Sequence, residues 1–286
     1  MTYDLDILTH IADLAPQLSK SETKVAAVIR DDLAFCANAS INDLAARIGV
    51  SEATITRFAR AVGCKDVREL KMRLAQSLAI GQRFVSAPVY SDTQGVFAAI
   101  RDMLDLHEQR VSEQALGEMV AVLGKASNIA VFGCGGGSGM MALEACNRLF
   151  RLGFRCSHTS DGVMGRMVAS TLRADDVLLL FSLTGRTPEV LEIAHIARQY
   201  GARLAAITQF GSPLADLADC ALTIETREGD DIFRPTTARY ALMLMMDLLA
   251  MKLAQVHEAV TRENLRRIKL NLDTHRGGSD RQPLGD

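Results

Sequence analysis

Two rhythms of apolar and polar residues divide this chain. In its first part, apolar positions recur every three or four residues, in "SETKVAAVIRDDLAF", "SINDLAARIGV", "SEATITRFARAVG" and "VRELKMRLAQSLA". That is the period of amphipathic helices, and no segment there alternates like a strand. The first 77 residues are therefore expected to be helical throughout. A looser stretch after Gly81, "GQRFVSAPVYSDTQG", holds Pro88 and reads as a linker. The pattern "VFAAIRDMLDLHEQRVSEQALGEMVAVLGKA" then predicts a long helical segment.

From Ser127 the rhythm changes. Short apolar runs, "NIAVFG", "GFRCSHT", "DDVLLLFS", "ARLAAIT" and "CALTIE", alternate with amphipathic segments. Unbroken apolar strands separated by helices predict a five-stranded parallel sheet covered on both faces, flavodoxin-like or Rossmann-like. Such sheets take ligands at the carboxyl ends of their strands. The expected layout is an all-α domain over 1–77, a linker and connecting helix over 78–112 and an α/β domain over 113–258. The polar, Gly- and Pro-rich tail, 273–286, is expected to be disordered.

Composition narrows the setting. A net charge of −2 over 286 residues excludes a globally polycationic chain, so nucleic-acid binding has to be judged locally. Cys36, Cys64, Cys134, Cys146, Cys156 and Cys220 form no C-x-x-C pair and read as reduced thiols, with no metal site expected. The N-terminus carries early acids and no secretory pattern. The most apolar run, "YALMLMMDLLAMKLA", is broken by Asp247 and Lys252 and reads as a packing helix, against the sheet or a partner subunit. A cytoplasmic protein without a membrane partner is expected.

The segment Ile41 to Arg60 meets the demands of a helix-turn-helix. Ala45 is small where two helices press together, and Gly49 stands at a turn needing positive φ. Leu44, Ile48, Val50, Ile55 and Phe58 are spaced to share one core. Ser51 offers the cap of the second helix. The outward arc falls on Ala53, Thr56, Arg57 and Arg60, which suit a major-groove reader. Glu52 reads as a solvated first-turn acid. Between Arg47 and Arg73 the basic side chains Arg47, Arg57, Arg60, Lys65, Arg68, Lys71 and Arg73 outnumber the acids Glu52, Asp66 and Glu69. Ser51, Ala53, Thr56, Arg57, Arg60 and Lys65 are the candidate contacts to double-stranded operator DNA.

In the second part, "FSLTGRT" ends an apolar strand with Ser182, Thr184 and Thr187 around Gly185. Hydroxyls at a strand-to-helix turn suit an anion, because backbone N–H groups and the helix dipole point the same way. Arg186 points either at the anion or into water. The loop "GCGGGSG" ends another strand on the same edge and brings Ser138. It lacks the third glycine and the distant acid of a dinucleotide fingerprint. A small phosphorylated molecule is the expected ligand, held by Ser138, Ser182, Thr184, Gly185 and Thr187, with no cofactor.

"FSLTGRTPEV" resembles the S-x-S-G-x-T phosphate motif of sugar isomerase (SIS) domains, with Thr184 where serine is usual. The glycine loop is one residue longer than the family's usual form. Joined to the helix-turn-helix, the motif resembles the RpiR family of bacterial transcription regulators. The likeness runs from "KSETKVA" through "GVSEATITRFARAVGC" and "LKMRLAQSLA" to "DDIFRPTTARYALMLMMDLLA". It implies an all-α helix-turn-helix domain followed by an α/β SIS domain, a homodimer or homotetramer, and a palindromic operator controlled by a sugar phosphate. In the branch of that family sharing these runs, the genes are those of glucose and Entner–Doudoroff catabolism. The effector there is 2-keto-3-deoxy-6-phosphogluconate.

A sugar-phosphate isomerase with a helical accessory domain is the alternative. It requires a base beside the sugar. Glu225, Glu228 and His257 are the candidates, each expected to be a solvated surface group, and His195 reads as a half-buried helix residue. A phosphate pocket without an identifiable base fits a sensor better, so no catalytic residue is expected.

Overall fold

In the computed structural model the described residues are 6–85, 92–226 and 236–276, and they fall into two compact units. The first is all helix: α1 (Ile7–Leu14), a 3-10 turn (Ala15–Gln17), α2 (Lys20–Asp31), α3 (Leu33–Asn38), α4 (Ile41–Ile48), α5 (Glu52–Ala61) and α6 (Val67–Val85). Its core gathers Ile29, Ile55, Phe58, Val62, Leu70 and Leu74, all buried. Side-chain caps set several of the helix starts. Ser19 with Glu22 and Ser40 with Asp43 form capping boxes, each satisfying two backbone donors. The serine's hydrogen bonds hold the Glu22 carboxyl below the usual carboxylate range.

The second unit contains α7 (Thr93–Glu108), α8 (Glu113–Leu123), β1 (Ile129–Phe132), α9 (Gly136–Leu152), β2 (Cys156–Thr159) and α10 (Gly162–Ala169). It continues with β3 (Val177–Ser182), α11 (Pro188–Gln199), β4 (Arg203–Gln209), α12 (Pro213–Leu217), β5 (Cys220–Ile224), α13 (Ala238–Val256) and α14 (Glu258–Arg276). All strand pairs are parallel, in the order β2-β1-β3-β4-β5. That is the flavodoxin-like arrangement of the two expected, and it puts the reversal of chain direction between β1 and β3.

The central strands β1, β3 and β4 bury both faces by simple alternation. Leu179 and Phe181 join Val131 and Ile207 under α8, α9 and α13, while Leu178 and Leu180 join Phe132 and Leu204 under α10, α11 and α12. The methionine-rich helix α13 packs on the sheet, burying Leu242, Met245, Met246, Leu249 and Leu253.

Three helix limits differ from the expected pattern. The chain is still helical at Val85, so Gly81 does not end α6. The segment leading to the sheet is two helices, because Ser112 leaves helical geometry (φ −91°, ψ 110°) and caps α8 by accepting from the Ala115 N–H. Helix α14 runs to Arg276, four residues into the segment expected to be disordered. It is anchored by Thr261, whose hydroxyl donates to the Leu152 carbonyl.

Candidate functional site

In the helical unit the turn between α4 and α5 is fixed by Gly49, at φ +71° and ψ +42°. The N–H groups of Gly49 and Val50 both reach the Ala45 carbonyl, which requires a left-handed residue between them. Ser51 accepts from the Thr54 N–H at 3.2 Å and starts α5. Ile55 and Phe58 then point inward, 1 % and 0 % exposed. This orients Ala53, Arg57 and Arg60 into solvent, with Thr56 half-buried beside them.

The basic side chains there divide into two groups. Arg47 is engaged elsewhere: it donates to Asp32 at 2.8 Å and lies over the Phe35 ring, 4.1 Å from its centroid. The Phe35 N–H first, then Arg47, hold the Asp32 carboxyl below its usual range. Arg73 is bonded to Glu69 at 2.8 Å. By contrast Arg57, Arg60, Lys65, Arg68 and Lys71 make no ion pair among the described residues, so the uncompensated positive charge runs from α5 through the following turn to the first turns of α6. The Arg57 guanidinium donates to the Thr54 hydroxyl at 3.3 Å, which steadies it on the exposed arc.

In the sheet unit, the loops after β1 and β3 meet at the carboxyl edge. A Cβ on Gly137 would stand 3.3 Å from the Leu183 side chain. A Cβ on Gly133 would lie 2.3 Å from the Ser138 carbonyl oxygen, so the first loop folds back tightly on the strand it leaves. Ser160, after β2, sits against Gly139 on the same edge. It was not among the residues the sequence singled out.

The hydroxyls in the loop after β3 are arranged as donors. Ser182, 2 % exposed, accepts from the Gly185 N–H at 2.9 Å. Thr184 accepts from the Arg186 N–H at 3.3 Å. A hydroxyl whose lone pair is taken by an N–H has its own O–H left to give. Thr187 begins α11 without a side-chain cap bond, and the Ser138 hydroxyl bonds to no described residue. Arg186 is exposed.

The helix starts differ in how they are closed. Nine α-helices are sealed by an Asp or Ser side chain at the N-cap: α1, α2, α3, α4, α5, α7, α8, α10 and α12. Helices α9, α11 and α13 are not; of the helices that start at the carboxyl edge, α10 and α12 are sealed while α9 and α11, after β1 and β3, are open. Helix α9 thus offers the free N–H groups of its first turn and α11, which starts with Pro188, that of Glu189, near hydroxyl donors, an arrangement that suits an acceptor-only ligand.

The candidate bases lie elsewhere. Glu225 follows β5, two strands from β3, and is ion-paired to Arg110. Its N–H donates to the buried His107 at 3.1 Å. His257 stands edge-on to Phe154 at 5.4 Å, at the amino end of the sheet, so it is packed rather than freely solvated. His195 is exposed, not half-buried. Glu228 lies outside the described residues. A groove of about 210 Å³, lined by Lys125, Asp175, Asp176 and Arg203 among others, opens at that same amino edge, opposite the hydroxyl loops.

Comparison with known proteins agrees with both halves. Residues 5–81 match the helix-turn-helix domain of the rpiR family, and residues 122–252 match the SIS domain. The HTH-type transcriptional regulator HexR of Pseudomonas aeruginosa is 36 % identical over 273 residues, spanning 93 % of this chain and 95 % of that protein. HexR of Escherichia coli is 34 % identical over 93 % of each chain. The fold is shared with NanR of Vibrio vulnificus, solved with ManNAc-6P, at a TM-score of 0.58 and 23 % identity over 91 % of this chain and 96 % of that one. It is shared too with the sugar isomerase domain of an RpiR transcription factor from Sphaerobacter thermophilus, at 0.56 and 22 % over 60 % of this chain and 95 % of that one. The chain therefore belongs to the RpiR family of transcriptional regulators, pairing an rpiR-type helix-turn-helix with a SIS domain, and within that family it is HexR-like.

Proposed function

We propose that this protein is a cytoplasmic repressor of sugar-catabolism genes whose hold on operator DNA is set by a sugar phosphate, 2-keto-3-deoxy-6-phosphogluconate. The observation that carries the proposal is the paired arrangement of Ser182 and Thr184. Each hydroxyl spends an acceptor lone pair on its own loop and retains a donor, next to two uncapped helix starts. A phosphate ester, which carries negative charge and several acceptor oxygens, is the complement of such a surface.

In this reading Ser138, Ser182, Thr184, Gly185 and Thr187 hold the phosphate. Ser51, Ala53, Thr56, Arg57, Arg60 and Lys65 meet the DNA, with α5 in the major groove. Two copies, in a dimer or tetramer, address the two halves of a palindromic site about 34 Å apart. Ligand capture changes how the copies meet and so alters the spacing of their α5 helices. A coupling of ~1–3 kcal/mol gives a 5- to 150-fold change in operator affinity. The sensor reading is favoured over an isomerase because the Glu225 carboxylate is already tied to Arg110 and His257 stands at the far edge of the sheet.

Linkage supplies the test. Effector affinity is measured by calorimetry with and without saturating operator, and operator affinity by anisotropy with and without effector. The two ratios are expected to agree within error. Equal effector affinity in the presence and absence of operator would remove the switch.

A further inference from the structure

The loop after β3 is held from beneath by residues outside the SIS motif. Ser182 and Thr208 form the last pair in the β3–β4 ladder. Thr208 is completely buried, and its hydroxyl donates to the Ser182 carbonyl at 2.8 Å. Ser212, 1 % exposed, places its Oγ 2.1 Å from where a Cβ on Gly185 would stand, and the Thr208 Oγ1 lies 2.6 Å from the same point. The next turn adds a clasp, since the Leu214 N–H donates to the Gly185 carbonyl at 3.1 Å. Ser212 also accepts from the Ala215 N–H at 3.3 Å, which ties the same side chain to the start of α12.

A hydroxyl at 208 is poorly explained by the core alone. Its strand neighbours Ala205, Ala206 and Ile207 are apolar and wholly buried, and valine, of nearly the same shape, would fill the site without a polar group to satisfy. What the hydroxyl adds is a fixed direction for the Ser182 carbonyl. That peptide plane sets where the backbone turns out of the sheet, and so where the Ser182 Oγ and the Gly185 N–H meet. Gly185, at φ +62°, then presses against the two hydroxyls from above.

We infer that Thr208 and Ser212 are positioning residues for the anion loop. They touch no ligand, but they hold Ser182 and Gly185 in the geometry that leaves the donors facing outward. The inference rests on the phosphate reading of that loop. It assigns the β4–α12 turn, "TQFGS", a role in affinity for the phosphate group itself and none in recognition of the sugar.

The full chain is titrated calorimetrically with inorganic phosphate and with 2-keto-3-deoxy-6-phosphogluconate. Thr208→Val is expected to weaken both ligands by the same factor, about tenfold, the size of one net hydrogen bond. Thr208→Ser is expected to restore them. Operator affinity without ligand stays unchanged, and so does the far-ultraviolet circular dichroism. Wild-type affinity for both ligands in a folded Thr208→Val protein overturns the inference, as does a loss confined to the sugar ligand. Should Thr208→Val fail to fold, Ser212→Ala decides, with the same proportional loss expected and unchanged binding overturning it. If the wild type binds neither ligand, the phosphate reading itself falls and takes this inference with it.

Discussion

Gly49 and Gly185 adopt nearly the same left-handed backbone, φ +71° and φ +62°, one in each unit. Their surroundings are opposite. A Cβ on Gly49 would meet nothing within 4 Å, whereas one on Gly185 would meet Ser212 and Thr208 within 2.1–2.6 Å. The first glycine serves the conformation of its own turn. The second serves that and a close approach between two loops as well. The contrast extends to the two sites. The exposed residues of α5 are displayed by one helix on a packed core, so each acts much by itself. The hydroxyls after β3 depend on groups from β4 and α12, so disturbance at a distance reaches them.

The sharpest way to break that contrast is Gly185→Ala. Left-handed strain of ~1–2 kcal/mol adds to overpacking of ~1–3 kcal/mol, for a total of ~2–5 kcal/mol. Thermal unfolding should show a lowered midpoint for the sheet unit, and calorimetry should show loss of phosphate binding. Next comes the pair that separates the sites. Ser182→Ala removes a charge-assisted hydrogen bond of ~1.5–3 kcal/mol, weakening effector about 10- to 150-fold while operator binding persists. Arg57→Ala does the reverse, costing ~1–3 kcal/mol in operator affinity with effector binding intact. Loss of both activities in either variant would deny that the sites are separable. The smallest effect is expected from Gly49→Ala, where backbone strain acts without a clash and costs ~1–2 kcal/mol of stability. A drop as large as that of Gly185→Ala would show that the turn between α4 and α5 is more crowded than its geometry indicates.

Why one site was more legible than the other follows from the same difference. The α4–α5 motif is written in one dimension. Ala45, Gly49, Ile55 and Phe58 declare the fold, and the outward arc is what remains at 100° per residue. The strands were equally open to reading, because runs such as "VLLLFS" are apolar on both faces. The hydroxyl cluster after β3 could be noticed as a cluster. Its supports could not be deduced from "SLTGRT", since Thr208 lies 26 residues further on and is placed there only by the β3–β4 register. A local hint existed: "ITQFGS" also ends an apolar strand in polar residues. The pairing of Arg47 with Asp32 was hidden for the same reason, as 15 residues separate them. The break before α8 was written in Ser112, a cap signal outweighed by the apolar period around it. Helix α14 is hard to foresee because its sequence is polar and its anchor, Thr261, meets Leu152, 109 residues earlier.

The open starts of α9 and α11 carry a cost that the nine sealed helices avoid. An absent cap bond forgoes ~1 kcal/mol at α11 and only a few tenths at α9, whose N-cap is Gly135, so the unliganded fold is slightly less robust than the same architecture with both ends sealed. Selection for heat resistance would therefore favour residues that close those ends from within the chain. If the proposed function holds, such variants would endure higher temperature and grow deaf to the metabolite, because the groups assigned to listening are the ones whose satisfaction would make the chain sturdy.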